Sequence, residues 1–361
     1  MHRSLITLAL VIGATAAYAG AKIEWNQKKY DFGAFREEAG PATANFVYYN
    51  TGDEPLVITG ARANCGCTTP KFSAETLQPG DSAVLTVTYD PEGRPGRFEK
   101  MIYVDTNTDP KRSVLRISGV SIGSSSTLAK TYPIEAGPLK FAQPGVLMGT
   151  IQQGHAKSIF ASAYNASTDT LRPVIVSVPR WIYAKVLPEV VPPGEQLSFS
   201  LYAHSETIPE WDIVTDTITI RPDASSPLVI KLPAVITLAE DFASLSDKER
   251  AEAPILELST RRLDPVTISG KGTTASFTIT NNGKSPLKIR RIYSLTPGIT
   301  TNVKKDETVK PGKTLTVNVS LPSAVLGASK AAAVVLNIIS NDPANAKTTV
   351  TVPVASTPDV R

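Results

Sequence analysis

The fold is decided by a stretch near the N-terminus, which reads Phe46-Val47-Tyr48-Tyr49-Asn50-Thr51-Gly52-Asp53-Glu54-Pro55-Leu56-Val57-Ile58. An alternating strand leads into an Asn/Gly turn, and a second strand begins with proline. The same design returns near the C-terminus as Phe277-Thr278-Ile279-Thr280-Asn281-Asn282-Gly283-Lys284-Ser285-Pro286-Leu287-Lys288-Ile289. Asn and Gly tolerate the positive φ of tight turns, and proline is accepted where no ladder donor is missed. We therefore predict one β-hairpin that occurs twice.

A second landmark, a Pro-Gly turn followed by an alternating strand, occurs three times, at Pro79-Gly80, Pro193-Gly194 and Pro311-Gly312. Hydrophobic residues at every second position are typical of a strand with one buried face. The expected inward residues are Leu85, Val87, Tyr89; Leu197, Phe199, Leu201; and Leu315, Val317, Val319. The distance from an upstream asparagine to this glycine is nearly constant, at 30, 29 and 31 residues for Asn50–Gly80, Asn165–Gly194 and Asn281–Gly312. The pattern indicates one unit in triplicate.

Each unit holds about seven strand-like runs in roughly 100 residues, the size of an immunoglobulin-like sandwich. We predict an all-β fold of three tandem Ig-like β-sandwich domains, called here the first (20–122), middle (127–240) and last (254–361) modules. The middle copy is degraded and is identified mainly by its spacing. Residues 121–126 are rich in Gly and Ser and are expected to form a flexible joint. Residues 241–253 are expected to form a short helical linker, because Ser246-Asp247-Lys248-Glu249 fits a capping box.

Residues 1–19 are predicted to be a cleaved export signal. Arg3 gives a basic start, an apolar run extends from Leu5 to Ala17, and Ala17-Tyr18-Ala19 fits the cleavage pattern. The run is shorter than the ~20 apolar residues that span a bilayer, so no transmembrane segment is predicted. The 37 Lys and Arg residues are interspersed with 33 Asp and Glu residues, which gives a formal net charge of +4. This near balance of basic and acidic residues predicts no nucleic-acid-binding patch.

The two cysteines of the chain both lie in Asn64-Cys65-Gly66-Cys67-Thr68. An even number of cysteines in an exported protein favours a disulfide, and Gly66 permits the sharp bend it needs. Three hypotheses remain open: an oxidised or buried structural pair, a redox-active pair helped by Arg62 or Lys71, and a Cu(I) site. Zinc would need two more ligands, which the first module does not offer because it has no histidine after cleavage.

Aromatic residues of the middle module suggest a second kind of site. Trp181, Tyr183 and Tyr202, with Trp211, could line a sugar-binding face, although aromatics at alternate positions are more often core or edge packing. Arg290-Arg291 is interpreted as a surface or edge-strand feature that discourages sheet-to-sheet aggregation. No catalytic set and no cofactor site is predicted.

The first module resembles an exported bacterial family, the domain-of-unknown-function family 1573. The resemblance rests on Phe32-Gly33, Asn50 with Gly52 and Pro55-Leu56, the Cys65-Gly66-Cys67 motif, Pro79-Gly80, and the finish from Gly96 to Asn107. It covers residues 23–122, is partial over 255–356 and is weak between them. That family is abundant in Bacteroidota and is similar to the Ig-like domains of hydin-type proteins. The resemblance implies an extracytoplasmic β-sandwich with no established activity, in the periplasm or on the surface of a Gram-negative bacterium.

The function that the sequence indicates is non-enzymatic binding. Tandem β-sandwiches present sheet edges and end loops that commonly hold other molecules. We expect the partner to be a protein or a cell-envelope polymer, not a nucleic acid. The alternative is a protein that exchanges disulfides or binds Cu(I) through Cys65 and Cys67.

Overall fold

The computed structural model describes residues 20–267, 272–323 and 333–355, so the predicted export signal lies outside the described residues. Strands dominate this part of the chain, and the predicted all-β class is confirmed. The strands form six sheets, of which two are built from residues 23–122, two from residues 134–239 and two from residues 256–355. The boundaries of the three modules themselves stay a prediction.

The first module contributes two four-stranded sheets, with strand orders β1-β3-β6-β5 and β2-β8-β7-β4. Its strands are β1 (Ile23–Trp25), β2 (Lys29–Arg36), β3 (Ala42–Asn50), β4 (Ile58–Ala63), β5 (Thr68–Lys71), β6 (Ser82–Tyr89), β7 (Gly96–Thr106) and β8 (Arg112–Ile122). A 3-10 turn follows β2 at Glu37–Ala39. One hydrophobic core lies between the two sheets and includes Trp25, Phe46, Tyr89 and Cys67.

The middle module contributes sheets with strand orders β14-β15-β12-β10-β9 and β11-β17-β16-β13. Its elements are helix α1 (Ser125–Leu128), β9 (Ile134–Ala136), β10 (Leu139–Phe141), β11 (Val146–Gln152), β12 (Ala156–Asn165), β13 (Val174–Ser177), β14 (Ile182–Leu187), β15 (Gln196–His204), β16 (Asp212–Arg221) and β17 (Ile230–Ala239). A 3-10 turn follows β15 at Ser205–Thr207.

The last module contributes sheets with strand orders β18-β20-β24-β22 and β19-β26-β25-β21-β23. Its strands are β18 (Leu256–Leu258), β19 (Val266–Thr267), β20 (Thr273–Asn281), β21 (Leu287–Ser294), β22 (Thr300–Thr301), β23 (Glu307–Val309), β24 (Thr314–Leu321), β25 (Ala333–Ser340) and β26 (Lys347–Ala355). Helix α2 (Asp247–Ala251) precedes them and lies within the segment for which a short helix is predicted. Its capping box is present, because the side chains of Ser246 and Glu249 each accept from the other residue's backbone N–H.

The strands after the three Pro-Gly turns bury the predicted residues. Gly80, Gly194 and Gly312 each adopt a positive φ, which glycine permits without strain. The inward side chains of β6 and β15 are at most 2% exposed, and so are Val317 and Val319 of β24, whereas Leu315 is only partly buried. The alternating pattern therefore fixes which face of each strand points into a core.

The predicted hairpins are wrong. β3 and β4 belong to opposite sheets, and so do β20 and β21, so the segment between each pair crosses the sandwich. Neither Gly52 nor Gly283 has a positive φ. Glycine is required there for a different reason, because a Cβ on Gly52 would overlap the backbone at Gly20–Lys22. On Gly283 it would overlap the backbone at Ala253–Ile255.

A buried asparagine stabilises this crossing in all three modules. Asn50, Asn165 and Asn281 are at most 1% exposed. Each side-chain amide donates to the carbonyl four residues later and to a carbonyl just before the Pro-Gly turn, at 2.8 to 3.0 Å: Glu54 and Leu77, Asp169 and Val191, Ser285 and Val309. Each side-chain oxygen accepts from the N–H two residues later, of Gly52, Ser167 or Gly283. The threefold repetition of this network agrees with the constant spacing in the sequence.

The chain divides into two compact units. The first contains described residues 20–142, 163–171 and 190–197, and the second contains 143–162, 172–189 and the described residues from 198 onward. The middle module therefore contributes residues to both units. In the described residues, no helix has the length and hydrophobicity to cross a membrane.

Residues 121–126, for which a flexible joint is predicted, are mostly buried in the first unit. Ser121 to Ser124 are buried, and Ser124 caps helix α1 by accepting from Thr127 N at 3.0 Å. Ile122 and Leu128 belong to a small hydrophobic cluster with Tyr132, Tyr164 and Ala166. Apolar residues on both sides of the Gly/Ser run bury it, which the composition of the run alone does not reveal.

Candidate functional site

The Cys65-Gly66-Cys67 motif forms a turn between β4 and β5, which lie in opposite sheets of the first module. The turn is closed by a hydrogen bond from Thr68 N to Cys65 O at 3.2 Å. Gly66 is exposed at its tip, and the motif thereby carries the chain from one sheet to the other.

The sulfur atoms of the two cysteines lie 2.15 Å apart, at bonding distance, with a Cα–Cα separation of 5.3 Å. Cys67 N also donates to Cys65 Sγ at 3.1 Å. Cys67 is 5% exposed and belongs to the core, whereas Cys65 is partly buried and packs against it. The structure therefore brings the two sulfur atoms together and buries Cys67.

The neighbours of the cysteines hold the turn in place. Asn64 N donates to Met101 O at 3.2 Å, and Asn64 Oδ1 accepts from Met101 N at 3.3 Å. These bonds fasten the start of the turn to β7. Thr68 is buried, and its Oγ1 lies 3.7 Å from Cys67 Sγ. Both motif neighbours thus have structural partners.

The middle module contains the same turn without cysteine. Ile182 N donates to Pro179 O at 2.9 Å, as Thr68 N does to Cys65 O. Ile182 pairs with Ala203, nine residues after Gly194, and Thr68 pairs with Tyr89, nine residues after Gly80. Trp181, which is 3% exposed, therefore occupies the position of Cys67. A buried indole and a buried sulfur fill equivalent places under the same sheet crossing.

Of the two basic residues near the motif, Arg62 has other partners. Its guanidinium lies 3.1 Å from Asp105 Oδ2 and 5.4 Å from the centre of the Tyr103 ring. Lys71 is exposed at the end of β5. Among the described residues, no three side chains of the His, Cys, Asp and Glu types converge as a metal site would need. The two cysteines therefore lie together at a sheet crossing, with no metal-ligating cluster around them among the described residues.

A buried carboxylate that the sequence analysis missed lies elsewhere in the first unit. Glu37 is 8% exposed and accepts hydrogen bonds from Gly93 N at 2.6 Å, Ser124 N at 2.7 Å and Thr127 Oγ1 at 2.8 Å. Burial alone would raise the pKa of Glu37, but the hydrogen bonds, led by that from Ser124, hold the pKa below its usual value. The carboxylate fastens α1 and the loop after Pro91 to the end of β2.

The second unit contains a comparable polar cluster. Asp212 is 6% exposed and accepts from Tyr293 Oη and from Lys347 Nζ, both at 2.6 Å. Its φ of 63° lies in the left-handed region, which aspartate tolerates better than most residues. Burial, and next the hydrogen bond to Asp212, raise the pKa of Tyr293 well above its ordinary range. These contacts join β16 to β21 and β26.

Arg290-Arg291, interpreted from the sequence as a surface or edge-strand feature, makes several contacts in the second unit. Arg290 pairs with Glu240 at 2.5 Å and with Asp306 at 2.7 Å, and its guanidinium lies 4.5 Å from the centre of the Trp211 ring. Arg291 donates to the carbonyl oxygens of Trp211 and Ile213 at 3.0 and 3.1 Å. Both arginines lie on β21 just after Ile289, where the pairing of β21 with β23 ends, and they belong to the same polar cluster as Asp212.

The four aromatic residues suggested for a sugar-binding face separate into two pairs. Trp181 and Trp211 are buried, at 3% and 5% exposed, as the core-packing interpretation expects, so they do not line a sugar-binding face. Tyr183 and Tyr202 are exposed, at 70% and 39%, and lie directly opposite each other on β14 and β15. Phe160 of β12, which the sequence analysis did not single out, is 64% exposed on the same sheet.

Comparisons with known proteins agree with this architecture. Residues 23–121 match the model of DUF1573, a protein family of unknown function, as the resemblance predicted. Residues 254–353 match the model of the HYDIN/CFA65/VesB-like, Ig-like domain. No curated protein matches the chain.

The similar solved structures are distant. A protein of unknown function from Porphyromonas gingivalis is 21% identical, covers 61% of this chain and 100% of its own, and has a TM-score of 0.45. The VesB protease of Vibrio cholerae is 18% identical over 27% of this chain and 31% of its own, with a TM-score of 0.24. Domains 1–4 of protocadherin gamma B7 are 10% identical over 92% and 76%, with a TM-score of 0.27. The two family matches thus place the likeness of this chain to DUF1573 in residues 23–121 and to the HYDIN/CFA65/VesB-like Ig-like domain in residues 254–353.

Proposed function

We propose that this chain is a non-enzymatic binding or structural protein of the cell envelope. In this proposal it is exported to the periplasm or surface of a Gram-negative bacterium, as the N-terminal sequence pattern suggests. Its Ig-like modules engage a protein or an envelope polymer through sheet faces, edges and end loops. The cysteine pair is part of the scaffold and performs no turnover.

The observation that carries the proposal is the recurrence of the cysteine turn without sulfur. Pro179 to Ile182 reproduce the hydrogen bond and register of Cys65 to Thr68, and Trp181 fills the place of Cys67. A turn that crosses between the sheets can therefore be built with Cys65 and Cys67 or with Pro179 and Trp181. In this proposal the two cysteines of the first module form a disulfide, which remains oxidised in an oxidising compartment.

The size of the ring agrees with a local role. A disulfide that closes a loop of three residues contributes about 1.5 kcal/mol by loop entropy, far less than the ~4 kcal/mol or more of a long loop. The bond therefore does not hold the module together. Its effect is confined to the turn and to the strands on either side of it.

The test compares the full chain with the double variant Cys65→Ser/Cys67→Ser. We expect the wild type to show no free thiol without reductant, no insulin reductase or isomerase activity, and no retention of Cu(I) in dialysis against a chelator. We expect both proteins to be equally retained by native cell-envelope fractions. Turnover in the thiol assays, or one Cu(I) per chain that the double variant loses, would instead favour the thiol or copper alternative.

A further inference from the structure

The middle module presents an uncovered aromatic face, defined by Phe160, Tyr183 and Tyr202 on three adjacent strands, β12, β14 and β15. Side chains at alternate positions of these strands point away from the core, because Val186, Leu201 and Phe199 between them are buried. Large exposed hydrophobic side chains grouped on one surface are uncommon in soluble proteins and often mark an interaction site.

The face lies at the edge of its sheet, where β14 has one neighbouring strand, β15, among the described strands. Tyr183 lies directly opposite Tyr202, and Lys185 and Leu187 lie opposite Ser200 and Ser198. Side chains opposite each other in an antiparallel pair stand about 5 Å apart at Cβ, so the two tyrosines are next to each other. The rings of His204 and Tyr202 make a T-shaped contact, with 4.8 Å between ring centres.

The polar side chains on this face carry hydroxyl, amide or basic groups. The outward positions of the three strands, all within the described residues, hold Ala156, Ser158, Phe160, Ser162, Tyr183, Lys185, Leu187, Gln196, Ser198, Ser200, Tyr202 and His204. None of these twelve is a carboxylate, and Lys185 is an exposed cation beside the tyrosine pair. The charge of the face therefore complements a ligand that carries negative groups.

We propose that the aromatic face binds an anionic polysaccharide. The flat C–H faces of sugar rings can stack on Tyr183, Tyr202 and Phe160, the sugar hydroxyls can exchange hydrogen bonds with the serines, and Lys185 can pair with a carboxylate or sulfate group. A protein partner would more often need a concave, desolvated pocket for its central side chains, which an open strand surface does not supply. This inference rests on the proposed function, because it names the class of envelope polymer that the modules hold.

The test measures binding of the full chain to three soluble probes by affinity electrophoresis and titration calorimetry. The probes are polygalacturonate, dextran sulfate and uncharged dextran, of which the last two share one backbone. We expect both anionic probes to bind more tightly than dextran, by at least fivefold. We expect Tyr183→Ala and Tyr202→Ala each to weaken binding about tenfold, as loss of a central aromatic contact does. Tyr183→Phe should retain binding, and Lys185→Gln should remove most of the preference over dextran.

The matched control is Tyr49→Ala. Tyr49 is 42% exposed on β3 of the first module, so its removal changes exposed aromatic area but not the proposed site. Each variant is first compared with the wild type by circular dichroism, because the exposed positions should not affect folding. We expect Tyr49→Ala to bind the probes as the wild type does.

Three outcomes would overturn the inference. They are absence of polygalacturonate and dextran sulfate binding, unchanged binding in Tyr183→Ala, and an equal loss in Tyr49→Ala, which would indicate non-specific attraction.

Retention of the chain by native envelopes provides the separate readout. If retention survives polysaccharide digestion, is lost on protease digestion and still depends on Tyr183, the face binds a protein and this inference fails while the proposed function stands. If envelopes do not retain the wild type, both fail.

Discussion

The side-chain amide of Asn165 donates a hydrogen bond to the carbonyl oxygen of Val191 at 3.0 Å, and equivalent bonds join Asn50 to Leu77 and Asn281 to Val309. In each module this bond connects the end of one strand to the residues before the next Pro-Gly turn. The main-chain carbonyl oxygen of the same asparagine accepts a hydrogen bond from the N–H of the Pro-Gly turn glycine at 2.8 to 3.0 Å. Asparagine is suited to this position because its side chain both donates and accepts.

We expect Asn50→Ala to destabilise the first module by about 3 kcal/mol. The substitution removes two donated bonds and one accepted bond, and it leaves the partly buried carbonyls of Glu54 and Leu77 without that donor. Denaturant-dependent hydrogen exchange of peptides from the first module measures the change. The control is Asn45→Ala on the same strand, which loses one exposed bond from Thr86 and should change stability by less than about 1 kcal/mol. Similar losses in the two variants would show that the buried network is not special.

We expect Gly283→Ala to destabilise the last module by about 1–3 kcal/mol, the usual cost of overpacking. The new methyl group would overlap the backbone of residues 253–255, which must then move away from β20. Gly60→Ala is the control, since a Cβ at Gly60 meets nothing within 4 Å. Thermal unfolding of both variants checks the expectation, and an unchanged transition in Gly283→Ala would refute the close approach.

We expect Tyr293→Phe to lower the free energy of unfolding by about 2 kcal/mol near neutral pH, because Asp212 loses a charge-assisted hydrogen bond. The folded protein raises the pKa of Tyr293, so it holds the phenol proton more tightly than the unfolded chain does. This contribution is complete below the unfolded pKa of about 10 and is lost as pH rises above it. The difference between wild type and Tyr293→Phe should therefore shrink above pH ~10.

Urea unfolding at a series of alkaline pH values measures that difference, with Tyr49→Phe as the exposed control. A gap that stays constant through the alkaline range would contradict the assignment of the bond to the protonated phenol.

We expect Glu37→Gln to destabilise the first unit by about 2 kcal/mol at pH 7, because three charge-assisted bonds are replaced by weaker ones. The folded pKa of Glu37 is lowered, so its contribution is present above the unfolded pKa of about 4.3 and is lost as pH falls through the folded value. Hydrogen exchange of residues 121–132 at pH 7 and at lower pH checks both parts. The control is Glu38→Gln, because the Glu38 carboxylate accepts a hydrogen bond from Ser125 N at 3.3 Å, at the surface. An equal effect of the two variants would contradict the role of burial.

The sequence predicts the repeated architecture well because its signals are local. The alternation of Leu85, Val87 and Tyr89 follows from the two-residue period of a strand. The Pro-Gly turns predict a special backbone conformation at Gly80, Gly194 and Gly312, and all three glycines adopt a positive φ. Both signals depend on neighbouring residues only, so they can be identified without knowledge of the fold.

The Asn/Gly pattern after Asn50 predicts a hairpin where the structure has a crossing between sheets, because glycine in this pattern can serve two physical purposes. In a hairpin, glycine supplies a positive φ, whereas here Gly52 supplies space beside the backbone of residues 20–22. The two uses differ only in where a distant segment lies. Sequence patterns within one stretch contain no information on that point.

The polar clusters could not be predicted for a related reason. Asp212 and Tyr293 are 81 residues apart, and Glu37 and Ser124 are 87 residues apart. Each is a single polar residue in a loop or at a strand end, without a period or motif. Tyr183 is the opposite case, since its alternation with buried Ile182 agrees with exposure but cannot distinguish a binding face from a solvated one.

The parallel pairing of each module's last strand with a strand near its start has a mechanical consequence. β2 runs parallel to β8, β11 to β17 and β19 to β26, so in each pair both strands point from the same end of the sandwich to the other. A stretching force applied between the start of one strand and the end of its partner acts along their common axis. The hydrogen bonds between them are then loaded together in shear and cannot be opened one after another like a zipper.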